Sequence, residues 1–288
     1  MLLLASIALL LQAVIHVHTE VVVVPVTVTD AHGKHVSGLR QDNFRLFVDG
    51  RPQPIAAFHH GEVSLTLGLI VDRSQSMRPK TQALLIAVSR LLQSTRPGDE
   101  LFAVVFNDRV SWALPASRPF TSVHGEIEAG IFANRAEGMT ALYDGVAEGM
   151  RHLELGHADR HALIVVSDGG DNASSRKYKE ILALARQSNT VVYAIGIMGS
   201  PPAEEQEDAG LLERLCKDTG GVAYFPRTEA EIAVVSAQIA ADLREQYTLG
   251  LSPDDLAQVR GFHKIEVRAT GEGRKRLRLR TRSGYLAP

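Results

Sequence analysis

Four short runs of apolar residues, separated by segments with helical patterns, constrain the fold of this 288-residue chain more than any other feature. Each run is short and apolar on both faces, as expected for strands of a parallel sheet that helices cover on both sides. The runs occupy residues 65–71, 101–106, 162–166 and 191–197. This alternation predicts the fold class, an α/β domain with a doubly wound, mostly parallel sheet.

The intervening segments place apolar residues at helical spacing. Residues 80–92 carry the first such stripe, formed by Leu84, Leu85, Val88, Leu91 and Leu92. A second stripe consists of Leu142, Val146, Met150 and Leu153, and a third begins with Ile181, Leu184 and Ala185. Stripes of this kind are typical of amphipathic helices that pack against a sheet.

The flanking segments have β patterns instead. Residues 21–28 are rich in β-branched side chains, and the alternating run 44–48 ends at Asp49-Gly50, a strong hairpin signal. Three further strands are predicted at 247–251, 264–268 and 277–281, with a turn at 271–273. Neither flank alone has enough apolar surface for a stable domain. We therefore expect the N- and C-terminal strands to form one small β-sandwich, with the α/β domain inserted between them.

These patterns divide the chain into four parts. They are a signal-like apolar segment (1–19), N-terminal sandwich strands (20–62), the α/β domain (63–243) and C-terminal sandwich strands (244–288). The apolar core from Leu2 to Leu11 suits a secretory signal, although the usual basic flank is missing. A buried strand or helix is the alternative. We expect an exported protein, secreted, periplasmic or in the cell envelope, without an integral membrane span in the mature chain.

Composition excludes several classes of protein. Hydrophobic residues make up 45% and charged residues 22% of the chain, which argues against disorder. The formal net charge of −2 gives no indication of nucleic-acid binding. Cys216 is the single cysteine, so an intramolecular disulfide is impossible, and its helical context predicts a buried apolar role.

Oxygen-bearing side chains follow two of the predicted strands. The first strand ends in Asp72-Arg-Ser74-Gln-Ser76, and the third ends in Ser-Asp168-Gly. Thr140 lies at the start of a predicted helix. In a doubly wound sheet such strand ends form the ligand-binding edge. One carboxylate and two hydroxyls at alternate positions suit Mg²⁺, and Ca²⁺ or Mn²⁺ could substitute. The alternative is that Ser74, Ser76 and Thr140 cap helices and Asp168 forms a turn.

The ordered set of motifs resembles a known family. Asp72-x-Ser74-x-Ser76, Gly-x-Thr140-Ala-Leu and Ser-Asp168-Gly are similar to the metal-ion-dependent adhesion site of von Willebrand factor type A domains, over about residues 63–243. The resemblance implies that the hydroxyls contact a divalent cation and that the aspartates act directly or through water. It also implies that a carboxylate of a protein partner completes the coordination.

The flanks resemble a narrower group, the exported von Willebrand factor A-related proteins abundant in acidobacteria. The resemblance rests on segments that include Val26-Thr-Val-Thr-Asp30, Asp42-Asn-Phe44 and Arg282-Ser-Gly-Tyr285. No defined ligand follows from it.

We therefore predict an exported, metal-dependent protein-binding module of the adhesion type, and not an enzyme. One alternative is a structural or assembly protein of the envelope with an idle metal site. Another is a metal-assisted hydrolase, for which the chain offers no His-Glu-x-x-His pair, nucleophile elbow or phosphate loop.

Three weaker signals remain open. Arg276, Arg278, Arg280 and Arg282 alternate along one strand, where they form either an anion-binding face or a solvated outer face. Asp144 is either a partner of the metal ligands or an ordinary exposed helix residue. Asp171 and Asn172 are expected to shape the rim of the site rather than to bind the metal.

Overall fold

The computed structural model describes residues 21–133, 135–198, 204–252, 260–271 and 276–287. Its strands are β1 (Val22–Thr29), β2 (Phe44–Val48), β3 (Arg51–Gln53), β4 (Ala57–His59), β5 (Leu65–Asp72), β6 (Glu100–Phe106), β7 (Val110–Trp112), β8 (Arg160–Ser167), β9 (Val191–Gly196), β10 (Ala223–Tyr224), β11 (Tyr247–Leu251), β12 (Gly261–Ala269), β13 (Arg278–Thr281) and β14 (Gly284–Ala287). Its helices are α1 (Thr81–Gln93), α2 (His124–Phe132), α3 (Leu142–Leu153), α4 (Tyr178–Gln187), α5 (Glu204–Thr219) and α6 (Glu229–Glu245).

A six-stranded sheet forms the centre of the protein, in the order β10-β9-β8-β5-β6-β7. All neighbours pair in parallel except β6 and β7. The four apolar runs correspond to β5, β6, β8 and β9, and every residue of β5 and β9 is buried. The predicted α/β fold class with a mostly parallel sheet is therefore confirmed.

The helices form two layers. Helices α1, α2 and α6 pack together, and α3, α4 and α5 form the second group, with the sheet between them. The predicted stripe of α3 is fully buried, as are Leu84, Val88 and Leu91 of α1. Leu85 and Leu184, which the spacing placed on the buried stripes, are each 39% exposed, because they lie at the margins of their helices' buried faces.

The central sheet has one topological switch point, between β5 and β8. From β5 the chain passes through α1 to β6 on one side, whereas from β8 it passes through α4 to β9 on the other. Loops that leave two adjacent strands in opposite directions open a crevice at their carboxyl ends, where ligands of open α/β sheets bind. The predicted motifs at Asp72 and Asp168 follow these two strands.

The flanking strands form two antiparallel four-stranded sheets, β13-β1-β11-β4 and β14-β12-β2-β3. Each contains strands from both ends of the chain, as in the pairing of β1 with β11 and of β2 with β12. Their inner faces share one apolar core, which includes Phe44, Leu46, Tyr247 and Leu249. The predicted hairpin is present between β2 and β3, and Asp49 and Gly50 both have positive φ.

Some predicted features lie outside the described residues, and one differs from the structure. Residues 1–19, predicted as a signal-like segment, lie outside the described residues, as does part of the predicted turn at 271–273. The strands β12 and β13 on either side of that turn belong to different sheets. The four-way division of the chain stays a prediction. None of the described helices combines the length and the apolar composition needed to cross a bilayer.

The sandwich packs against the amino ends of the central strands. Arg160, the first residue of β8, donates from its guanidinium to the carbonyl oxygens of Leu243 and Gln246. The backbone N–H of Val23 in β1 donates to Asn189 Oδ1, just before β9, at 3.1 Å. The metal-site motifs lie at the carboxyl ends of the central strands. The sandwich and the candidate metal site are therefore at opposite ends of these strands.

Two of the four alternating arginines of the C-terminal strands fit neither interpretation of their pattern. Arg282 is 3% exposed and donates to the carbonyl oxygens of Gly284, Val23 and Arg186. Arg280 bonds to Asp242 of α6. These two side chains join the sandwich to the α/β domain, whereas Arg276 and Arg278 are exposed.

We predict that Asp242→Ala destabilises the protein by about 3 kcal/mol, because it leaves the Arg280 guanidinium without its carboxylate inside the domain interface. Asp242 is 2% exposed and also contacts His35 Nε2 at 2.6 Å. Denaturant unfolding measures the effect. The control is Glu266→Ala, which breaks an ion pair with Arg268 on the surface and should cost less than about 1 kcal/mol. Equal losses in the two variants would contradict the role of this interface.

Candidate metal centre

Asp72 is the last residue of β5, and its carboxylate is fully buried. Its Oδ2 accepts a hydrogen bond from the hydroxyl of Ser167, the last residue of β8, at 2.6 Å. Its Oδ1 accepts the backbone N–H of Ser74 at 2.8 Å. One carboxylate thus joins the two strand ends across the switch point and also fixes the start of its own loop. Sequence reasoning placed Ser167 in the motif but gave it no role.

Ser74 and Ser76 follow Asp72 at alternate positions. The hydroxyl oxygens of the two serines lie 3.0 Å apart, and Ser74 is buried whereas Ser76 is exposed. A short 3₁₀ helix spans Gln75–Lys80, with Ser74 as its N-cap residue, yet no side chain caps it. The Ser74 hydroxyl therefore does not act as a helix cap, in contrast to the alternative interpretation of the motif.

Thr140 is brought to the same edge by backbone hydrogen bonds between loops. The N–H of Gln75 donates to the carbonyl oxygen of Gly138 at 3.0 Å, and the N–H of Glu137 donates to that of Arg73 at 2.9 Å. Gly138 has φ +78°, and a Cβ there would lie 2.5 Å from Asp108 Oδ1, so this close approach requires glycine.

The N-terminus of α3 is capped by the loop that follows β8. The N–H of Thr140 donates to Asn172 Oδ1 at 2.8 Å, and that of Tyr143 donates to Asp171 Oδ1 at 3.1 Å. The N-cap residue of α3 is Ala141, so Thr140 does not cap this helix with its hydroxyl. Asp171 and Asn172 thus hold the Thr140 loop in place, whereas the sequence indicated only that they shape the rim of the site.

Asp144 fixes the other end of this loop. Its carboxylate accepts hydrogen bonds from the N–H and hydroxyl of Ser175 and from the N–H and guanidinium of Arg176. Partial burial opposes ionisation of Asp144, but these bonds outweigh it and lower its pKa. Asp144 is therefore an anchor between α3 and the β8–α4 loop, and not an ordinary exposed helix residue.

Asp168 follows Ser167 and lies next to the first loop. Its Oδ2 accepts a hydrogen bond from Lys80 Nζ at 3.0 Å, and the two side chains are 13% and 15% exposed. Gly169 comes next with φ +97°, and its N–H donates to the Ser167 hydroxyl at 3.0 Å. The five predicted residues thus lie on three loops that contact one another at one edge of the sheet.

Burial controls the electrostatics of Asp72. Loss of solvent raises the pKa of this carboxyl to about 6, the hydrogen bonds from Ser167 and Ser74 oppose the increase, and the charge of Asp168 adds to it. A buried carboxylate whose proton affinity is raised by a neighbouring carboxylate is a natural site for a cation.

The donor set fits a small divalent cation. Neighbouring ligands of an octahedral ion with bonds of 2.0–2.1 Å lie about 2.9 Å apart, close to the separation of the Ser74 and Ser76 hydroxyls. Hydroxyl and carboxylate oxygens are the ligands that Mg²⁺ prefers. The described residues contain no group of three His, Cys, Asp or Glu side chains arranged to hold a metal, so this site would depend on its hydroxyls.

A protein-family model matches most of the α/β domain. The family model of the von Willebrand factor type A domain matches residues 67–238, which is more than half of the chain. The chain belongs to the von Willebrand factor type A (VWA) family. The matched segment begins in β5 and ends in α6, so it contains the central sheet and all five residues of the candidate site.

Several solved structures share the fold. A von Willebrand factor type A protein from Catenulispora acidiphila has a TM-score of 0.54 and 16% identity, with 70% of this chain and 50% of that chain covered. The VWA domain of the pilus tip protein Mfa5 from Porphyromonas gingivalis has a TM-score of 0.50 and 12% identity, with 62% and 94% covered. The pilus adhesin SpaC from Lactobacillus rhamnosus GG has a TM-score of 0.51 and 12% identity, with 75% and 36% covered.

At these identities the similarity shows the fold alone. This chain spans half the length of the C. acidiphila protein. A search of curated proteins finds no match.

We predict that metal-free protein in EDTA loses stability as the pH rises from about 4 to about 6. The folded pKa of Asp72 lies above its unfolded value, so the folded state binds the proton more tightly and its ionisation opposes folding. Asp72→Asn should remove this slope and stabilise the metal-free protein at pH 7.5 by about 3 kcal/mol. Unfolding in denaturant at pH 4 and pH 7.5 measures both quantities.

Asp144→Asn provides a control of opposite sign. The pKa of Asp144 is lowered in the folded state, so its contribution is present at neutral pH and decreases as the pH falls through its folded pKa. This variant should therefore be less stable than the wild type at pH 7.5. A stability gain at pH 7.5 in both variants would argue against burial of Asp72 as the cause.

Proposed function

We propose that the protein is an exported, metal-dependent binding module of the adhesion type. In this proposal Asp72, Ser74, Ser76, Thr140 and Asp168 hold a divalent cation, with Mg²⁺ preferred and Ca²⁺ or Mn²⁺ as substitutes. The observation that carries it is the pair of serine hydroxyls 3.0 Å apart, next to a fully buried aspartate at the switch point of the sheet.

The side chains have distinct roles in this proposal. Ser74, Ser76 and Thr140 supply neutral oxygens, and the two aspartates supply the negative charge. Two carboxylates neutralise the charge of a divalent cation without adding an excess of negative charge. The bound ion can therefore still coordinate an acidic group of a partner protein. Ser167 and Asp171 bind no metal: they hold Asp72 and the Thr140 loop in position.

The surface beside the site suits a protein partner. Met139, immediately before Thr140, is an apolar side chain that is 54% exposed. An apolar side chain next to a charged centre provides contact area for a ligand residue that flanks the acidic group. Structural relatives that are a pilus tip protein and a pilus adhesin support a role in adhesion and a location outside the cell.

A hydrolase is the weaker proposal. Metal-assisted hydrolysis needs a general base beside the metal, and the loops around the site, residues 72–80, 107–109, 135–145 and 167–177, do not contain histidine, the residue that most often fills this role. We therefore propose binding rather than turnover.

We predict that Mg²⁺ at about one hundred times its dissociation constant stabilises the wild type by about 2.7 kcal/mol, or roughly 5–10 °C in Tm. EDTA should abolish the shift, and Asp72→Ala and Asp168→Ala should not respond to Mg²⁺. The matched control is Asp159→Asn, an exposed carboxylate at the amino end of β8, which should keep the full response. An unchanged Tm of the wild type with Mg²⁺ and with EDTA would refute the metal site.

A capture experiment tests the binding role. Immobilised wild-type protein should retain a specific partner from a cell-envelope extract in Mg²⁺ and release it in EDTA. Ser76→Ala removes one exposed hydroxyl ligand without opening the core, so it should fold normally but retain the partner poorly. Partner retention that is insensitive to EDTA and to Ser76→Ala would favour a structural protein in which the metal site is idle.

A further inference from the structure

Lys80 is a charged residue at the candidate metal centre. It is not one of the proposed metal ligands. It is the last residue of the 3₁₀ helix Gln75–Lys80, so it belongs to the same loop as Ser74 and Ser76. Its ammonium donates to Asp168 Oδ2 at 3.0 Å. Lys80 and Asp168 therefore form an ion pair.

The backbone on either side of Lys80 is constrained, and its ammonium is held by the bond to Asp168. Pro79 precedes Lys80 and restricts φ, and Thr81, whose hydroxyl bonds to the carbonyl oxygen of Arg78 at 2.9 Å, begins α1 directly after it. The side chain is 15% exposed, so part of it faces solvent at the edge where the ligand would bind. An ammonium has three N–H donors, and Asp168 accepts one of them.

The charge balance of the site indicates what this ammonium does. A divalent cation offsets the two carboxylates of Asp72 and Asp168, so Lys80 leaves the loaded site with one positive charge in excess. A single ligand carboxylate at the metal uses none of the N–H donors of the Lys80 ammonium, only one of which Asp168 accepts. A second acidic group of the ligand can accept a charge-assisted hydrogen bond from this ammonium beside the metal.

We propose that Lys80 is a second cationic contact of the binding site and selects partners with two neighbouring acidic groups. One acidic group binds at the metal and the other at the Lys80 ammonium. This inference rests on the proposed function, since it requires the metal. The inference extends the proposed function in two ways. It gives a role to a residue that does not bind the metal, and it names a class of ligand, an acidic peptide segment with adjacent carboxylates.

The test uses the full protein and two peptides, acetyl-Gly-Asp-Asp-Gly-amide and acetyl-Gly-Asp-Asn-Gly-amide, in excess Mg²⁺. The wild type should bind the diacidic peptide about ten times more tightly than the monoacidic one, as expected for one partly exposed charge-assisted bond. Lys80→Met keeps the length of the side chain without its charge and should reduce this preference to about twofold or less. Lys80→Arg keeps a charge and should retain most of it.

Metal affinity separates this role from a purely structural one. We expect Lys80→Met to bind Mn²⁺ several times more tightly than the wild type, measured by electron paramagnetic resonance, because it removes a positive charge beside Asp168. If the Lys80 bond only holds Asp168 in place, the same variant should bind Mn²⁺ more weakly.

The outcomes distinguish the two proposals. A wild type that does not bind Mn²⁺ would refute the metal site itself. A wild type that binds Mn²⁺ but prefers neither peptide would refute only the role of Lys80, as would a preference that persists in Lys80→Met or a weaker Mn²⁺ affinity in that variant.

Discussion

The hydrogen bond between the Asp72 carboxylate and the Ser167 hydroxyl joins the carboxyl ends of two adjacent parallel strands, and the candidate site depends on it. The strands lead to helices on opposite sides of the sheet, so their loops diverge directly after this bond. Together with the bond between Lys80 and Asp168, it links the loop that carries the serines to the loop that carries Asp168. The bond also keeps a buried carboxylate hydrogen-bonded at a position where burial opposes its charge.

The loops above this bond are held mainly by backbone groups. The carbonyl oxygens of Arg73 and Gly138 accept N–H groups of the facing loops, and the carboxylate of Asp171 caps α3. Backbone and capping bonds leave the hydroxyls of the serines and Thr140 available for other partners. The site is therefore organised before any ligand binds, which lowers the entropy cost of binding.

Much of this arrangement could be predicted from the sequence, for physical reasons. Strands buried on both faces are apolar at nearly all interior positions, so the four apolar runs indicated β5, β6, β8 and β9 directly. Because the carboxyl ends of parallel strands share an edge, Asp72 and Asp168 could be placed together without a structure. The short strands β7 and β10 could not be predicted, since two or three residues show no periodicity.

Long-range polar partners were equally inaccessible to sequence reasoning. Alternation along β13 distinguishes the two faces of a strand but not solvent from a neighbouring domain, so the buried roles of Arg280 and Arg282 appear only in the structure. The same holds for Lys80, which the sequence placed only at the start of a predicted helical segment, residues 80–92. Its partner, Asp168, lies 88 positions further along the chain.

The opposite placement of site and sandwich has a mechanical consequence. A ligand held at the carboxyl ends of β5 and β8, and an attachment through the sandwich at their amino ends, would load the protein along the strand axes. Tension in that direction shears adjacent strands, so all the hydrogen bonds between β5 and β8 resist together instead of opening one at a time. The guanidinium of Arg160, bonded to the last turn of α6 and to the residue before β11, lies on the same line of force.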